Sequence, residues 1–283
     1  KKLLEKNYKK KISFFKIDLT NYNSLKKKIN LIKPDVIFHL ASNADVRGSF
    51  DFPIQHTYNN NLITVNLLEA VRKSNSNPVI VICSTSEVYG NVKKKDMPIT
   101  EKQKIAPINP YAVTKTYQDL ISQVYQKSFD LKIIVTRMFS YTNARRSNLF
   151  QTAFAKQITM CESGKLKYLK HGNLKSVRTF VDIEDAMSAY WLAATRGKIG
   201  EIYNIGGDQV ISVKNYLKEL VKLATIKIKT KLDKKLLRPQ DILMQIVNSS
   251  KFKKHTGWKA KVNAKTSIKN LLEECRKLYK HNY

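Results

Sequence analysis

Strands and helices alternate along the first half of this chain, and that alternation constrains its fold more than any other feature. Short apolar runs of strand length are each followed by a stretch in which apolar residues recur at helical spacing. Strands are predicted at Ile12–Ile17, Val36–Leu40, Val79–Cys83 and Leu131–Thr136, and helices at Pro53–Lys73 and Pro110–Gln126. Units of this kind build a parallel sheet with helices on both faces. We therefore predict an α/β fold with a doubly wound parallel sheet.

The glycine-rich turn that normally opens a dinucleotide-binding fold is not found early in this sequence. Such a turn follows the first strand, because glycine lets the backbone approach a pyrophosphate. The sequence begins Lys1-Lys2-Leu3, its first methionine is Met97, and its first glycine is Gly48. We therefore expect the first strand–helix unit, roughly 40–60 residues, to lie outside this sequence.

Beyond Arg137 the regular alternation gives way to a mixed pattern. A helix is predicted near Phe150–Cys161, an extended segment at Lys165–Lys170, a strand at Glu201–Ile205, and helices at about Val213–Leu223 and Thr266–Tyr279. No low-complexity linker separates the two parts. We predict a sheet domain over residues 1–140, incomplete at its N-terminus. Residues 141–283 are predicted to form a smaller substrate-binding lobe, interleaved with late strands of the sheet.

The net charge of +30 does not by itself indicate a nucleic-acid partner. The lysines are scattered over every segment, and no aromatic ladder alternates with them as single-strand binding requires. The positive field instead favours an anionic small substrate. No apolar run reaches the roughly 18–20 residues of a membrane span, so no membrane partner is expected. The histidines are isolated, and Cys83, Cys161 and Cys275 lack metal spacing, which predicts reduced thiols, no metal site and a cytoplasmic protein.

A polar cluster directly follows the predicted strand Val79–Cys83. It contains Thr85 and Glu87 within Ser84-Thr85-Ser86-Glu87. Ligands of open α/β sheets bind at the carboxyl ends of the strands. Alternate residues of a half-extended segment share a side, so Thr85 and Glu87 are expected to face the same substrate. Taken alone, these residue types are also ordinary turn residues.

Tyr111 and Lys115 form the second half of the candidate site. Asn109-Pro110 is a favoured N-cap followed by a favoured first helical residue, which places Tyr111 in the first turn. Lys115 lies one turn later on the same face, and its ammonium is expected to lower the pKa of Tyr111 towards that of a general base. A lone Tyr-x-x-x-Lys is common by chance. A hydroxyl, a carboxylate, a phenol and an amine in this order predict oxidation of a sugar alcohol and loss of water beside the new ketone.

These motifs resemble those of the extended short-chain dehydrogenase/reductases, an NAD-dependent epimerase/dehydratase family with a Rossmann fold. Thr85-Ser86-Glu87 is similar to the Thr-x-Glu of sugar-nucleotide 4,6-dehydratases, above all the GDP-mannose 4,6-dehydratases. The resemblance covers essentially the whole chain. The other segments that carry it are Asp18-Leu19, His39-Leu40-Ala41-Ser42, Tyr111-x-x-x-Lys115, Ala144-Arg145-Arg146, Gly172-Asn173-Leu174, Leu237-Arg238-Pro239 and Thr256-Gly257-Trp258-Lys259.

The resemblance implies a three-step cycle on GDP-mannose. Tyr111 takes the proton of the C4 hydroxyl while hydride passes from C4 to NADP+, with Thr85 holding the oxygen. Glu87 then removes the C5 proton, which is acidic only beside a C4 ketone, and the C6 hydroxyl leaves as water. Return of hydride to C6 gives GDP-4-dehydro-6-deoxymannose and regenerates the cofactor.

The resemblance also implies binding roles for further residues. Tyr111 and Lys115 contact the cofactor as well as performing the chemistry, and Arg178 and Arg238 hold the nucleotide diphosphate, since guanidinium groups suit phosphate oxygens. NADP is the expected cofactor with NAD as the alternative, a GDP-sugar is the expected substrate, and the family implies a homodimer or homotetramer. The remaining residues matched to cofactor-binding positions are Asp18, Leu19, Leu40, Ala41, Ser42 and Arg146.

Two departures from the dehydratase pattern keep related activities open. Ser140-Tyr141 stands where the family usually has Asn-His, and residues 148–157 resemble the GDP-4-dehydro-6-deoxymannose reductases. A reductase or epimerase of the same superfamily is therefore the nearest alternative. A non-catalytic nucleotide-binding protein is the alternative from another class, but such a protein is expected to have lost part of the catalytic set.

Overall fold

The computed structural model of the protein describes residues 12–279. In chain order its strands are β1 (Val36–His39), β2 (Val79–Thr85), β3 (Ile133–Met138), β4 (Ser140–Tyr141), β5 (Leu169–His171), β6 (Val177–Val181), β7 (Ile202–Ile205), β8 (Gln209–Ser212), β9 (Thr230–Leu232) and β10 (Met244–Gln245). Its α-helices are α1 (Tyr22–Ile32), α2 (Gly48–Asp51), α3 (Pro53–Arg72), α4 (Pro110–Phe129), α5 (Phe150–Glu162), α6 (Ile183–Arg196), α7 (Val213–Lys222), α8 (Ser250–Thr256) and α9 (Ala264–Tyr279). Short 3₁₀ helices lie at Ser86–Tyr89, Lys94–Asp96 and Lys234–Leu236.

The main sheet has the strand order β1-β2-β3-β7, and every neighbouring pair is parallel. Helix α3 connects β1 to β2, and α4 connects β2 to β3. Parallel neighbours require such crossovers, because a tight turn joins only antiparallel strands. This arrangement confirms the doubly wound parallel sheet predicted from the sequence.

Strand β2 is buried on both faces, with alternate side chains entering different layers. Ile80 and Ile82 pack with side chains of α1, α3 and β3. Val81 and Cys83 pack on the other face with side chains of α6, β7 and α8. The strand period of two residues therefore divides one continuous apolar run between two helical layers.

A second sheet begins where the main sheet ends. Strand β4 follows β3 after the single residue Phe139, and it pairs with β6 in parallel. Strand β10 pairs in parallel with the same edge of β6 as β4 does, and β8 pairs antiparallel with the other edge. Helices α5, α7 and α9 pack together around Phe180 of β6. The second sheet is thereby anchored at the carboxyl end of β3, on the edge where an α/β sheet binds its ligands.

Three predicted elements differ from the structure. The extended segment predicted at Lys165–Lys170 forms a strand only from Leu169, where β5 begins, and bends precede it. Ile12–Ile17 is not a strand, because a strand requires a paired neighbour and no described residue forms a ladder with this segment. Phe14 and Phe15 are exposed, and only Ile17 packs against the core. The loop predicted after β1 contains the one-turn helix α2, since Gly48 and Phe52 close a backbone hydrogen bond.

The three free cysteines agree with the reduced thiols predicted from the sequence. Cys83, Cys161 and Cys275 are free and buried. His39 is buried in β1 and hydrogen-bonds Thr64 Oγ1 at 2.9 Å, as expected for a core histidine. Between residues 12 and 279, no helix combines the length and the apolar character needed to cross a membrane.

Candidate active site

The carboxyl end of β2, in the middle of the main sheet, carries Thr85 and Glu87. Thr85 Oγ1 accepts a hydrogen bond from the Glu87 backbone N–H at 3.3 Å and so caps the 3₁₀ helix Ser86–Tyr89. The extended geometry predicted for residues 85–87 therefore ends at Thr85. Glu87 is half-buried, and its Oε2 accepts a hydrogen bond from Asn109 Nδ2 at 3.0 Å.

Helix α4 begins as predicted and buries Tyr111 and Lys115 on one side. Asn109 Oδ1 accepts a hydrogen bond from the Ala112 N–H at 2.7 Å, and Pro110 is the first helical residue. Tyr111 is 8% exposed and Lys115 is 4% exposed. The start of the helix thus presents a phenol and an amine to the carboxyl end of β2.

The environment of Tyr111 differs from the prediction that Lys115 lowers its pKa. Burial is the largest influence and raises the Tyr111 pKa well above its usual value, and the nearby Glu87 charge raises it further. The positive charge that opposes this rise is Arg146, and the nearby Thr85 hydroxyl acts in the same direction. The structure thus brings Thr85, Glu87 and Tyr111 together, with Arg146 as the cation that favours tyrosinate.

The Lys115 amine is held by a buried polar chain. Its Nζ donates to Gln118 Oε1 at 2.6 Å. Gln118 Nε2 in turn donates to Asn60 O at 2.9 Å and to Thr64 Oγ1 at 2.6 Å. Burial lowers the pKa of Lys115 to about 8, against the opposing charges of Cys83 and Asp119. A buried amine with a pKa this low can exchange its proton near neutral pH.

We expect Lys115 to make stability depend on pH. Because its pKa is about 8 in the folded chain and about 10.4 in a free lysine, the unfolded chain binds more protons between these values. The free energy of unfolding should therefore rise with pH over this window, by up to about 3 kcal/mol. The test is urea unfolding of the protein and of Lys115→Met at about pH 8, 9 and 10. The free energy of unfolding of the unsubstituted protein should increase relative to that of the variant as the pH rises. A difference that is constant with pH would contradict this.

A buried ion pair lies beneath the site. Arg137 Nε donates to Asp119 Oδ2 at 2.7 Å and Nη2 to Oδ1 at 3.1 Å, with side chains 3% and 0% exposed. Arg137 Nη1 also donates to Tyr89 Oη at 2.9 Å, and Ser84 Oγ donates to Asp119 Oδ2 at 3.2 Å. The pair joins β3 to α4 and to the 3₁₀ helix that carries Glu87.

Arg146 lies between the two sheets. Its Nη1 donates to Tyr141 Oη at 3.2 Å, and its Nη2 donates to Ala44 O at 3.2 Å in the loop after β1. Its charge reaches both Tyr111 and Lys115. Arg146 therefore lies at the candidate site, although its partners here are protein groups.

Arg178 and Arg238 lie on the side of the second sheet. Arg178, on β6, donates to Val177 O at 3.0 Å and to Ile242 O, and burial lowers its pKa while the charges of Glu87 and Asp241 oppose this. Arg238 is exposed, with its Nη1 3.9 Å from Asp241 Oδ1. The charges of Glu87 and Arg238 both act on Arg178, so Arg178 lies near each of them.

Arg47 connects the loop after β1 to the segment before Arg238. Its side chain extends from the loop after β1 and donates to the backbone oxygens of Lys235 and Leu237. The latter bond is 3.2 Å long and joins residues 190 positions apart. The segment that receives it leads directly into Arg238.

The residues matched to the rest of the cofactor site lie along the carboxyl end of β1. Asp18 is exposed, and its Oδ1 accepts hydrogen bonds from Thr20 N at 2.9 Å and Thr20 Oγ1 at 2.8 Å, which lower its pKa. Leu40 is 63% exposed, whereas Ser42 Oγ is buried and has no hydrogen-bond partner among the described residues. A cavity of about 360 Å³ beside β1 is lined by apolar side chains that include Leu19 and Ala41. A buried hydroxyl without a partner beside an apolar cavity fits a ligand with both polar and planar parts.

Two contacts at the site lie outside the sequence predictions. Gln118 holds Lys115, and the i, i+3 spacing on one helix face is a signal that could have indicated it. Asn109 was predicted only as a helix cap, yet it also bonds Glu87. Asn109 and Glu87 are 22 positions apart, and no local spacing signals their contact.

Comparison with known proteins places the chain in a family. A family model described as GDP-mannose 4,6 dehydratase matches residues 1–271. GDP-6-deoxy-D-mannose reductase of Pseudomonas aeruginosa is 27% identical over 245 residues, covering 85% of this chain and 80% of the relative.

Solved structures share the fold over nearly the whole chain. RMD from Pseudomonas aeruginosa, complexed with NADPH, has a TM-score of 0.88 at 24% identity and covers 98% of this chain and 95% of that chain. UDP-glucuronic acid 4-epimerase from Bacillus cereus, in complex with UDP-glucuronic acid and NAD, has a TM-score of 0.85 at 26% identity, with coverage of 98% and 85%. The doubly wound sheet is therefore that of the extended short-chain dehydrogenase/reductases.

The family model spans the polar cluster after β2, the start of α4 and the arginines of the second sheet. Its agreement with the motifs and with the fold gives one result: the chain belongs to the GDP-mannose 4,6-dehydratase family, within the superfamily of nucleotide-sugar dehydratases, epimerases and reductases.

Proposed function

We propose that this protein is a GDP-mannose 4,6-dehydratase that converts GDP-mannose to GDP-4-dehydro-6-deoxymannose, with NADP as its cofactor. One observation carries the proposal: the Glu87 carboxylate lies within electrostatic reach of the Tyr111 phenol, at the carboxyl end of the central strand. Oxidation of an alcohol needs the phenol and a hydroxyl. A carboxylate beside them supplies the base that elimination of water also requires.

The catalytic roles follow from the chemistry of each group. Tyr111 accepts the proton of the C4 hydroxyl, and Thr85, whose hydroxyl lies near the phenol, orients that oxygen. Arg146 stabilises the phenolate that forms. Glu87 takes the C5 proton once C4 is a ketone, and the C6 hydroxyl leaves as water. A bound nicotinamide supplies hydride transfer in both directions.

The proposed cofactor site lies in residues 1–140 and the proposed sugar-nucleotide site mainly in residues 141–283. Lys115 and Tyr111 would contact the nicotinamide ribose, and the unpartnered Ser42 hydroxyl supports a phosphate or ribose oxygen near Leu40 and Ala41. The apolar cavity beside Leu19 and Asp18 supports an adenine ring. Arg146 would bind cofactor phosphate when the cofactor is present. One solved relative is complexed with NADPH and another with NAD, and NADP is the cofactor we propose.

Arg178 and Arg238 are the proposed ligands of the nucleotide diphosphate. Burial lowers the pKa of Arg178, and the nearby positive charge of Arg238 lowers it further. A bound anion between the two guanidinium groups would reduce this repulsion. Guanidinium groups bind phosphate oxygens in a bidentate way. The three free, buried cysteines support a reducing compartment, and we place the reaction in the cytoplasm.

The proposed reaction makes a distinctive prediction about cofactor stoichiometry. The full-length protein, incubated with GDP-mannose and NADP+ well below the substrate concentration, should form a 4-keto-6-deoxy product without net production of NADPH. The product can be followed by mass spectrometry and the reduced cofactor by its absorbance. In deuterated water the product should carry solvent deuterium, because the C5 proton is removed during the cycle. Accumulation of NADPH in proportion to product would contradict the dehydratase.

The second candidate function is a GDP-4-dehydro-6-deoxymannose reductase. Its support is the similarity to the GDP-6-deoxy-D-mannose reductase of Pseudomonas aeruginosa and the presence of Ser140-Tyr141 where the dehydratases usually have Asn-His. Net consumption of NADPH with a 4-keto sugar nucleotide, and no reaction with GDP-mannose, would favour the reductase.

We propose a homodimer formed through α3 and α4. These helices pack side by side, and their outer faces expose apolar residues at helical spacing. Val113, Leu120 and Val124 of α4 are 52%, 48% and 51% exposed, and Ile54 of α3 is 85% exposed. A stripe with this spacing on two adjacent helices supports pairing with the same stripe on a second copy.

Charge placed on this stripe should dissociate the dimer. The double substitution Leu120→Glu/Val124→Glu is expected to shift the molar mass in solution from two chains to one, because burying two carboxylates in an apolar contact is costly. Light scattering after gel filtration measures the mass. Ile226→Glu, at a site that is 46% exposed in the loop between α7 and β9, is the control. An unchanged mass in the double variant would place the contact elsewhere.

A further inference from the structure

Asn109 lies between α4 and Glu87, and each end of its amide has its own partner. Its Oδ1 accepts the Ala112 N–H at 2.7 Å, and its Nδ2 donates to Glu87 Oε2 at 3.0 Å. These partners fix the orientation of the amide, because a flipped amide would set its oxygen against the carboxylate. Within residues 12–279, no other group donates a hydrogen bond to the Glu87 carboxylate.

The capping role alone does not require asparagine at this position. Serine, threonine and aspartate also cap helices well, because each supplies an acceptor oxygen. Asparagine differs in that it adds an N–H donor to the acceptor. At position 109 the acceptor serves the helix and the donor serves Glu87. The residue type therefore matches both contacts.

Backbone packing holds Glu87 and Asn109 at a fixed separation. The Ala106 N–H donates to Val88 O at 2.9 Å, which ties the segment before Asn109 to the 3₁₀ helix that carries Glu87. Gly90 has a φ of +59°, and a Cβ there would lie 1.9 Å from Ala106 O. Only glycine allows the two segments to approach this closely. With Asn109 itself 6% exposed, the contact with Glu87 is part of a packed unit.

We propose that Asn109 is a positioning residue that holds Glu87 for removal of the C5 proton, an inference that rests on the proposed dehydratase function. By binding Oε2, Asn109 leaves Oε1 without a hydrogen bond from any described residue, and so available to the substrate. In the elimination, Glu87 takes the C5 proton, the C5–H electron pair forms the C5–C6 double bond, and the C6 hydroxyl leaves as water with the proton that Glu87 has taken. Asn109 thereby ties the base of the second step to the helix that carries the base of the first, Tyr111.

Two substitutions separate the cap from the contact with Glu87. Asn109→Ser keeps the capping oxygen and removes the donor, so kcat should fall about 10- to 100-fold, the loss of one hydrogen bond to a charged group, with KM near its original value. Incorporation of solvent deuterium at C5 should fall in parallel. Asn109→Asp keeps the cap and sets a second carboxylate beside Glu87. The acid side of its pH–rate profile should move to higher pH, because adjacent carboxylates disfavour ionisation.

Asn21 provides a matched control. It caps α1 in the same way, with its Oδ1 accepting the Ser24 N–H at 3.0 Å, and in the described chain it bonds no carboxylate. Asn21→Ser and Asn21→Asp should leave kcat, the deuterium incorporation and the pH profile unchanged. An Asn109→Ser variant that also leaves all three unchanged would overturn the proposal.

A measurement without substrate separates this inference from the proposed function. The ¹³C carboxyl resonance of Glu87 can be identified by its loss in Glu87→Gln. It should move in Asn109→Ser and stay in place in Asn21→Ser. If the resonance moves in Asn109→Ser while the unsubstituted protein makes no dehydration product, the positioning of Glu87 by Asn109 is supported and the proposed function is wrong. If dehydration occurs and neither the resonance nor kcat changes in Asn109→Ser, the positioning role fails alone.

Discussion

Tyr111→Phe is expected to lower kcat for GDP-mannose by about 10²- to 10⁴-fold, with little change in the unfolding midpoint. The ring of Phe fills the same buried space, since Tyr111 is 8% exposed. The variant loses the hydroxyl whose pKa responds to Glu87 and Thr85, and with it the group proposed to accept the C4 proton. Single-turnover reduction of NADP+ would measure this first step directly.

Tyr117→Phe is the matched control for this experiment. Tyr117 lies on the same helix but is 36% exposed on its outer face, so the variant should keep the original rate. If Tyr111→Phe retained more than about a tenth of the rate, the general base would have to be another group. Because Glu87 and Lys115 are also at the site, their variants would then be the next to test.

Asp119→Ala is expected to lower the free energy of unfolding by about 3–5 kcal/mol, the usual cost of leaving a buried charge without its partner. Arg137 is 3% exposed, and three of its hydrogen bonds go to Asp119 and Tyr89. Without the carboxylate, its guanidinium keeps only the Tyr89 oxygen. Urea unfolding followed by circular dichroism, at a pH where both groups are charged, measures the loss.

The double variant Asp119→Leu/Arg137→Met tests the stated cause. Replacing both charges with apolar side chains removes the stranded cation, so this protein should be more stable than Asp119→Ala. If the double variant were no more stable than the single one, the loss would come from packing of the Asp119 side chain and not from the uncompensated Arg137 charge.

Local patterns were enough to predict the main sheet and the start of α4. The buried strands Val79–Thr85 and Ile133–Met138 begin with the apolar runs Val79–Cys83 and Ile133–Val135, and Asn109-Pro110 marks the helix start by its own residue types. Each of these signals lies within a few residues of the element it specifies. The position of Glu87 after a strand end was predictable for the same reason.

Features that depend on distant parts of the chain were not predictable. Ile12–Ile17 has the composition of a strand, but pairing with a neighbour decides whether a strand forms. The rise in the Tyr111 pKa comes from burial under segments far away in sequence, which outweighs any nearby cation. The bond between Asn109 and Glu87 likewise depends on how two loops pack.

The link that Arg47 makes between the loop after β1 and the segment before Arg238 has a thermodynamic consequence. A ligand that orders one of these loops also restricts the other through the shared guanidinium, so the second ligand meets a loop whose conformational entropy is already reduced. We therefore expect a ligand at the loop after β1 and a ligand at the segment before Arg238 to bind cooperatively. By linkage, each ligand raises the affinity for the other by the same factor.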